Sequence, residues 1–358
     1  MTKQATILID NEGRKNKIRL LKPLRVLRGK RVVFVASWQE ETVLVKLFSK
    51  EKYWSRELTG LGFLSRFKLA SPQCLYSGQV AESSNLQQFG MKPKKQMYVL
   101  VLEFYKNALD FRTQWRSESL HESKRKELFS KLLILLAQHH QSGVIQSDLH
   151  LGNFLIVNND LVTIDGDAVE HHCSLSIKEC YRQLGILLAQ SFPKYDAMLE
   201  ALLPRYFNER KLEYNRLIIK EILNSREIAR KIAKKNWVNK VYRESSQFKI
   251  FKTFSYYICI SRAFDNIEFH NRAFNLINDT KNIVEWNDGK YQYKATRYVN
   301  TLYSGGRCLK ENEASIHWLN AQLKLFFGEN SVAIPVALVL NTLGPFHKSG
   351  FFVQAKMR

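Results

Sequence analysis

Val144-Ile-Gln-Ser-Asp148-Leu-His-Leu-Gly-Asn153-Phe-Leu-Ile-Val157, followed by Leu161-Val-Thr-Ile-Asp165-Gly-Asp167, is the stretch on which the fold of this 358-residue chain turns. An Asp leads an Asn by five residues, an apolar strand follows, and a second apolar strand delivers another Asp. Short apolar runs bounded by polar residues read as buried strands, and loops at their ends can present polar groups to solvent. Phosphoryl transfer needs such parts. One carboxylate must orient the acceptor hydroxyl and take its proton, and an amide with a second carboxylate must hold Mg2+ against nucleotide phosphates. A loop whose Asp and Asn only cap helices is the plainer alternative for the same residues.

Upstream, Arg31–Ala36 alternates in the manner of a strand, and Thr42-Val-Leu-Val-Lys46-Leu-Phe48 is a second β-branched run. A Lys in an apolar strand costs free energy unless its charge is paired. Glu51 to Phe67 has helical spacing, with Trp54, Leu58, Leu61 and Leu64 on one stripe. Met97 to Glu103 is another strand. Ser119 to Gln141 is helical and ends at Ser142-Gly143, a usual stop, and Ile177 to about Lys235 is helical again. The first thirty residues are basic and mixed, and Ser77 to Lys95 is polar without a strong pattern.

Together these strings resemble the protein-kinase-like superfamily, and within it the bacterial lipopolysaccharide kinase (Kdo/WaaP) family. The resemblance rests on D-L-H-L-G-N-F-L-I, on I-D-G-D and on the short Lys46-to-Glu57 separation, and spans about residues 20–235. It implies an α+β, bilobal protein-kinase-like fold. A small β-rich N-lobe would cover about 18–104 and a helical C-lobe about 105–240, within a domain of residues 1–240. It also implies ATP and Mg2+ as cofactors. Asp148 would be the catalytic base, and Asn153 and Asp165 the Mg2+ ligands with Asp167 assisting. Lys46 would contact the α- and β-phosphates and be fixed by Glu57, for which Glu51 is the rival. Glu103 to Tyr105 would offer backbone groups to adenine.

Two features depart from the protein-kinase pattern. Gln146 stands where His or Tyr usually precedes the catalytic Asp. Leu24–Trp38 holds one glycine, Gly29, so a G-x-G-x-x-G cover is absent. Arg28, Lys30 or Arg31 would have to supply charge there. These departures keep a pseudokinase-like binding module as the alternative, beside a kinase for another small-molecule or protein acceptor.

Residues 285–358 read as strand, helix with a Glu, then two strands, which is the order of a kinase N-lobe. Tyr291–Val299, Arg307–Leu323, Ile334–Leu340 and Gly350–Gln354 carry that order, and they resemble an incomplete second N-lobe-like segment of the same family. Thr296 stands where the family has Lys, and Lys294 with Glu313 is the remaining candidate pair. The sequence reaches Arg358 without a second Asp–Asn segment, so this copy is expected to carry no chemistry. Residues 241–284 would be a basic helical connector.

A composition of 45% hydrophobic and 25% charged residues is ordinary for a globular chain and excludes a disordered, collagen-like or disulfide-miniprotein class. The net charge of +22 calls for an anionic partner. Arg205–Lys252 is the most basic stretch, with fourteen Lys or Arg against five Glu. No zinc spacing, RNP-like string or basic heptad is present, which disfavours nucleic acid. The resemblance points instead to an anionic glycolipid, the lipopolysaccharide core, whose heptose or Kdo hydroxyl would accept the phosphoryl group. No apolar run reaches the roughly 18–20 residues of a membrane span, and the N-terminus is too short in apolar residues for a signal peptide. A cytoplasmic location is expected, with peripheral contact at the cytoplasmic face of the inner membrane. The five cysteines are scattered and form no C-x-x-C pair, as expected of reduced thiols.

Overall fold

The computed structural model describes residues 5–11, 13–27, 29–89, 96–299, 312–329, 333–343 and 346–357. Arg28, Cys308, residues 90–95 and the expected helix start at 307–311 lie outside them. The fold is α+β. The chain divides into two compact units, one of Met1–Ser191 with Tyr195–Glu227, the other of Phe192–Lys194 with Ile228–Arg358.

The first unit opens with β1 (Ala5–Asn11), β2 (Arg14–Leu27), β3 (Arg31–Trp38), β4 (Glu41–Phe48), α1 (Glu51–Arg66), β5 (Cys74–Ser84) and β6 (Tyr98–Glu103). These strands form a closed antiparallel barrel in the order β1-β2-β3-β4-β6-β5. The N-terminal thirty residues, which looked mixed in sequence, supply two of its strands. Ala5, Ile7 and Ile9 alternate inward and meet Ile18, Phe34, Val45 and Val101 in the barrel interior. β1 pairs with β5, so a segment without a strong sequence pattern completes the closure and removes the open edge.

Period-two geometry sorts the two faces of β4. Val43, Val45 and Leu47 fill the barrel. Phe48 and Leu44 pack outward with Leu61 and Leu64 of α1. Lys46 shares the parity of Leu44 and Phe48 and therefore stands on the α1 side.

The rest of this unit is mainly helical: α2 (Phe111–Arg116), α3 (Glu122–Gln141), α4 (Ile177–Ala189), α5 (Asp196–Leu202), α6 (Pro204–Arg210) and α7 (Arg216–Lys240), the last extending into the second unit. Their core is built from Trp115, Phe129, Leu132, Leu136, Leu184, Phe207 and Ile222. Small β pairs carry the polar loops. β7 (Leu109–Asp110) pairs with β9 (Phe154–Val157), β9 with β10 (Asp160–Thr163), and β8 (Val144–Gln146) with β11 (Val169–His171). Asn158 and Asn159 turn the β9–β10 hairpin at φ 49° and 72°, the left-handed region that Asn tolerates best after glycine.

The second unit contains β12 (Phe248–Lys252), β13 (Tyr256–Ser261), α8 (Ile267–Asn275), β14 (Ile283–Asn287), β15 (Tyr291–Val299), α9 (Glu313–Phe326), β16 (Ile334–Leu343) and β17 (Phe346–Met357). Residues 241–284, expected to be a helical connector, instead give β12, β13 and the start of β14 to its sheet and hold α8. The unit boundary falls at 227/228 rather than at 240. The sheet order is β12-β13-β16-β17-β15-β14. Phe269 and Ala273 of α8 cover the face bearing Ile258, Val339 and Phe351. Trp318 of α9 covers the face bearing Cys259, Leu338 and Phe352. The chain order β14, β15, α9, β16, β17 with sheet neighbours β14-β15-β17-β16 repeats the order β3, β4, α1, β5, β6 with neighbours β3-β4-β6-β5. Among the described residues no helix is long and apolar enough to cross a membrane.

Candidate active site

Glu57 is fully buried on the inner face of α1 and is surrounded by donors. Lys46 Nζ bonds its Oε1, Arg31 Nη1 lies 2.5 Å from its Oε2, and the backbone N–H of Gly166 donates to Oε1 at 3.2 Å. Among the described residues Glu51 has its carboxylate elsewhere, accepting from the Tyr98 hydroxyl at 3.2 Å. A buried carboxylate is tolerable only when paired and hydrogen-bonded, and here two cations and an amide do so. Lys46 Nζ also donates to the Ile164 carbonyl at 3.2 Å, which ties β4 to the segment carrying Asp165.

Asp165 receives Arg31 Nη2 at 3.2 Å, and its other oxygen accepts the Asp167 N–H at 3.3 Å. Burial works to raise its pKa, but Lys46 and Arg31 outweigh that and hold it below the ordinary value. Asp167 pairs outward with Arg56 at 2.6 Å and is not among the residues that line the cavity.

Asn153 is buried and its amide is oriented from one side. Nδ2 donates to the Asp148 carbonyl at 2.9 Å and to Gln146 Oε1 at 3.4 Å. Gln146, the residue that departs from the protein-kinase pattern, thus anchors Asn153. Both donations use the nitrogen and leave the amide oxygen as acceptor. Asp148 itself presents a side chain that is 80% exposed, with His150 Nε2 at 3.9 Å. Burial lowers the His150 pKa, against the opposing charge of Asp148.

Lys46, Asn153 and Asp165 line a cavity of about 230 Å3 together with Arg25, Arg31, Leu24, Val33, Leu44, Pro72 and Leu155. Glu103, Phe104 and Tyr105 form another part of its wall. The Tyr105 hydroxyl is pushed up to about 12 by burial and by its hydrogen bond to Glu103. The lining combines apolar side chains suited to a flat ring with cations and oxygens grouped at Lys46 and Asp165. Asp148 and Glu57 are not lining residues: one faces solvent and the other is buried behind Lys46.

Among the described residues, no three or more His, Cys, Asp or Glu side chains group as a metal cage. A site for Mg2+ does not require one, because this ion keeps waters and takes one or two carboxylates plus substrate phosphates. The Asp165 carboxylate and the free Asn153 amide oxygen are hard oxygen donors of the right kind, so the residues fit the ion. In the second unit Lys294 and Glu313 are both exposed, and among the described residues no ion pair joins them. The candidate pairing is not made, and among the described residues that unit shows no counterpart of the Lys46–Glu57 pair.

Two features had no sequence signal strong enough to find them. Arg31 is one of three candidate charges, and nothing local marks it as the cation bridging Glu57 and Asp165. The second is the backbone contact of Gly60 with Gly166, where a Cβ on Gly166 would lie 2.5 Å from the Glu57 carbonyl oxygen.

No family model and no curated protein matches the chain. A solved structure, "WaaP in complex with acyl carrier protein", is similar at 18% identity with a TM-score of 0.44, covering 60% of this chain and 89% of that chain.

Proposed function

We propose that the first unit is an ATP- and Mg2+-dependent kinase that transfers a phosphoryl group to an alcohol. The observation that carries this reading is the shared cavity wall of Lys46, Asn153 and Asp165, with Glu103 to Tyr105 on the same cavity. Lys46, held by Glu57, would neutralise phosphate charge. Asn153 and Asp165 would hold Mg2+, which supplies charge stabilisation to the transferring group. Asp148, exposed beside the loop that fixes Asn153, would orient the acceptor hydroxyl and take its proton. Glu103 to Tyr105 would meet the adenine through backbone groups.

For the acceptor we favour a sugar hydroxyl of an anionic glycolipid, the heptose or Kdo of lipopolysaccharide inner core, used at the cytoplasmic face of the inner membrane. The net charge of +22 and the family resemblance of the D-L-H-L-G-N segment support it. The second unit, with its repeated strand order and, among the described residues, no Lys294–Glu313 pair, would be a partial N-lobe-like appendage that stabilises or docks.

Purified core glycolipid, free sugars and a generic protein substrate, each with labelled ATP, test the reading. Transfer to the glycolipid that disappears in Asp148→Ala, with ATP binding retained, is the expected result. Activity surviving that change would remove Asp148 from its role. A second reading, a pseudokinase-like module, is favoured by the Arg31–Asp165 bridge and the single glycine of the β2–β3 turn. ATP binding with no transfer to any acceptor would select it.

A further inference from the structure

We propose that Arg31 is a built-in counter-cation that occupies Asp165 until a metal ion displaces it, and so sets the metal requirement of the site. The inference rests on the nucleotide-site reading above. Arg31 opens β3, is 8% exposed, and lines the cavity together with Asp165 and Asn153. Its two terminal nitrogens are divided between two carboxylates, Glu57 at 2.5 Å and Asp165 at 3.2 Å. Its Nε is buried without a partner. The guanidinium is therefore held by its fork alone, and the bond to Asp165 is the longer of the two.

Lys46 already neutralises Glu57. A second cation beside it makes sense as the hydrogen-bonded partner of Asp165, which Lys46 favours through its charge alone. A divalent ion taken up by Asp165 would compete with Arg31 for its carboxylate. Its charge would also repel the guanidinium, so the two cations would disfavour one another there. Arg31 can leave Asp165 without leaving the site, because Glu57 still holds Nη1. The nearby phosphates of a nucleotide are then the available acceptors for the released Nη2.

The test uses the full-length chain with saturating ADP. The melting temperature is followed as Mg2+ is titrated, and bound Mn2+ is counted by electron paramagnetic resonance. In Arg31→Gln the metal midpoint should fall about fivefold or more, since the ion no longer displaces a charge from Asp165. In Arg31→Lys, whose single ammonium cannot span both carboxylates, the midpoint should fall between the two. An unchanged or higher midpoint in Arg31→Gln overturns the assignment. If that variant does not fold, Arg31→Lys at the wild-type midpoint does the same. Wild-type protein that takes up neither metal nor ADP would sink the nucleotide-site reading itself. Wild-type binding with a midpoint indifferent to Arg31 would sink only this inference.

Discussion

Gly60 of α1 and Gly166 of the Asp165 segment meet backbone to backbone: a Cβ added at Gly60 would fall on the Gly166 carbonyl, 2.8 Å from its carbon. This contact brings the Glu57 carboxylate within reach of the Gly166 N–H and fixes the spacing between the helix and Asp165. Two residues along the same helix, Gly62 is exposed, and a Cβ there meets nothing within 4 Å.

The pair makes a sharp prediction, because helix propensity alone favours Ala over Gly at both positions. Gly62→Ala should stabilise the protein by about 0.5–1 kcal/mol. Gly60→Ala should destabilise it by about 1–3 kcal/mol as α1 is pushed off the Asp165 segment, and should weaken ADP binding. Urea denaturation of both variants checks this. Equal shifts of the same sign would show that the contact does not constrain the helix.

Glu57 is the common partner of two buried cations, and its removal should cost more than removal of either cation. Glu57→Gln leaves Lys46 and Arg31 with Asp165 as the remaining carboxylate. Stranding buried charge costs about 3–5 kcal/mol. Lys46→Met leaves Glu57 paired with Arg31 and the Gly166 N–H, and should cost under about 2 kcal/mol. Both variants should lose nucleotide binding. Denaturant midpoints measured side by side decide the order, and a larger loss in Lys46→Met would refute it.

How much of this was legible in sequence depends on how local each signal was. The strand hosting Lys46, the helix hosting Glu57 and the strands around Asp148, Asn153 and Asp165 each announced themselves within ten residues. The barrel closure did not. Ala5, Ile7 and Ile9 show a period of two, but Lys and Arg dominate the surrounding composition and hid it. Phe248–Lys252 and Tyr256–Ser261 carry aromatic and β-branched residues suited to strands, but the basic residues around them mask that signal. Arg31 bridges to a residue 134 positions away, a pairing that exists only after folding.

Two adjacent histidines on α3 give a pH dependence. Burial holds His139 at about 4 and His140 well below its ordinary value. His139 Nε2 lies 3.3 Å from Thr163 Oγ1, and His140 Nδ1 lies 2.7 Å from the Tyr206 hydroxyl. Both titrate lower folded than unfolded, so between those values the unfolded chain binds more protons. Their stabilising effect is complete above about pH 6.5 and is lost as pH falls through the folded value. Each contributes a slope of at most about 1.4 kcal/mol per pH unit in that window. His139→Asn should flatten the stability profile between pH 6.5 and about 4 by close to one proton. An unaltered slope would mean that His139 is not buried in the neutral form.

Trp318 offers a test of whether the two units are energetically separate. It is fully buried on the sheet-facing side of α9, its indole N–H donates to the Val241 carbonyl at 3.2 Å, and it meets Phe248 edge-on at 5.8 Å. Removing it should cost the second unit about 3–5 kcal/mol, chiefly through lost contacts, since the Val241 carbonyl keeps the Cys259 thiol as a donor. The first unit has its own cores, in the barrel interior and around α3, and none of the cavity residues belongs to the second unit. Scanning calorimetry of Trp318→Ala should therefore lower one transition and leave the other in place. The Mg2+–ADP shift, a ligand effect on the folded first unit alone, should stay attached to the unmoved transition. If both transitions fall together, or the ligand shift vanishes, the second unit supports the site energetically, and its repeated strand order would then belong to one cooperative structure with the first.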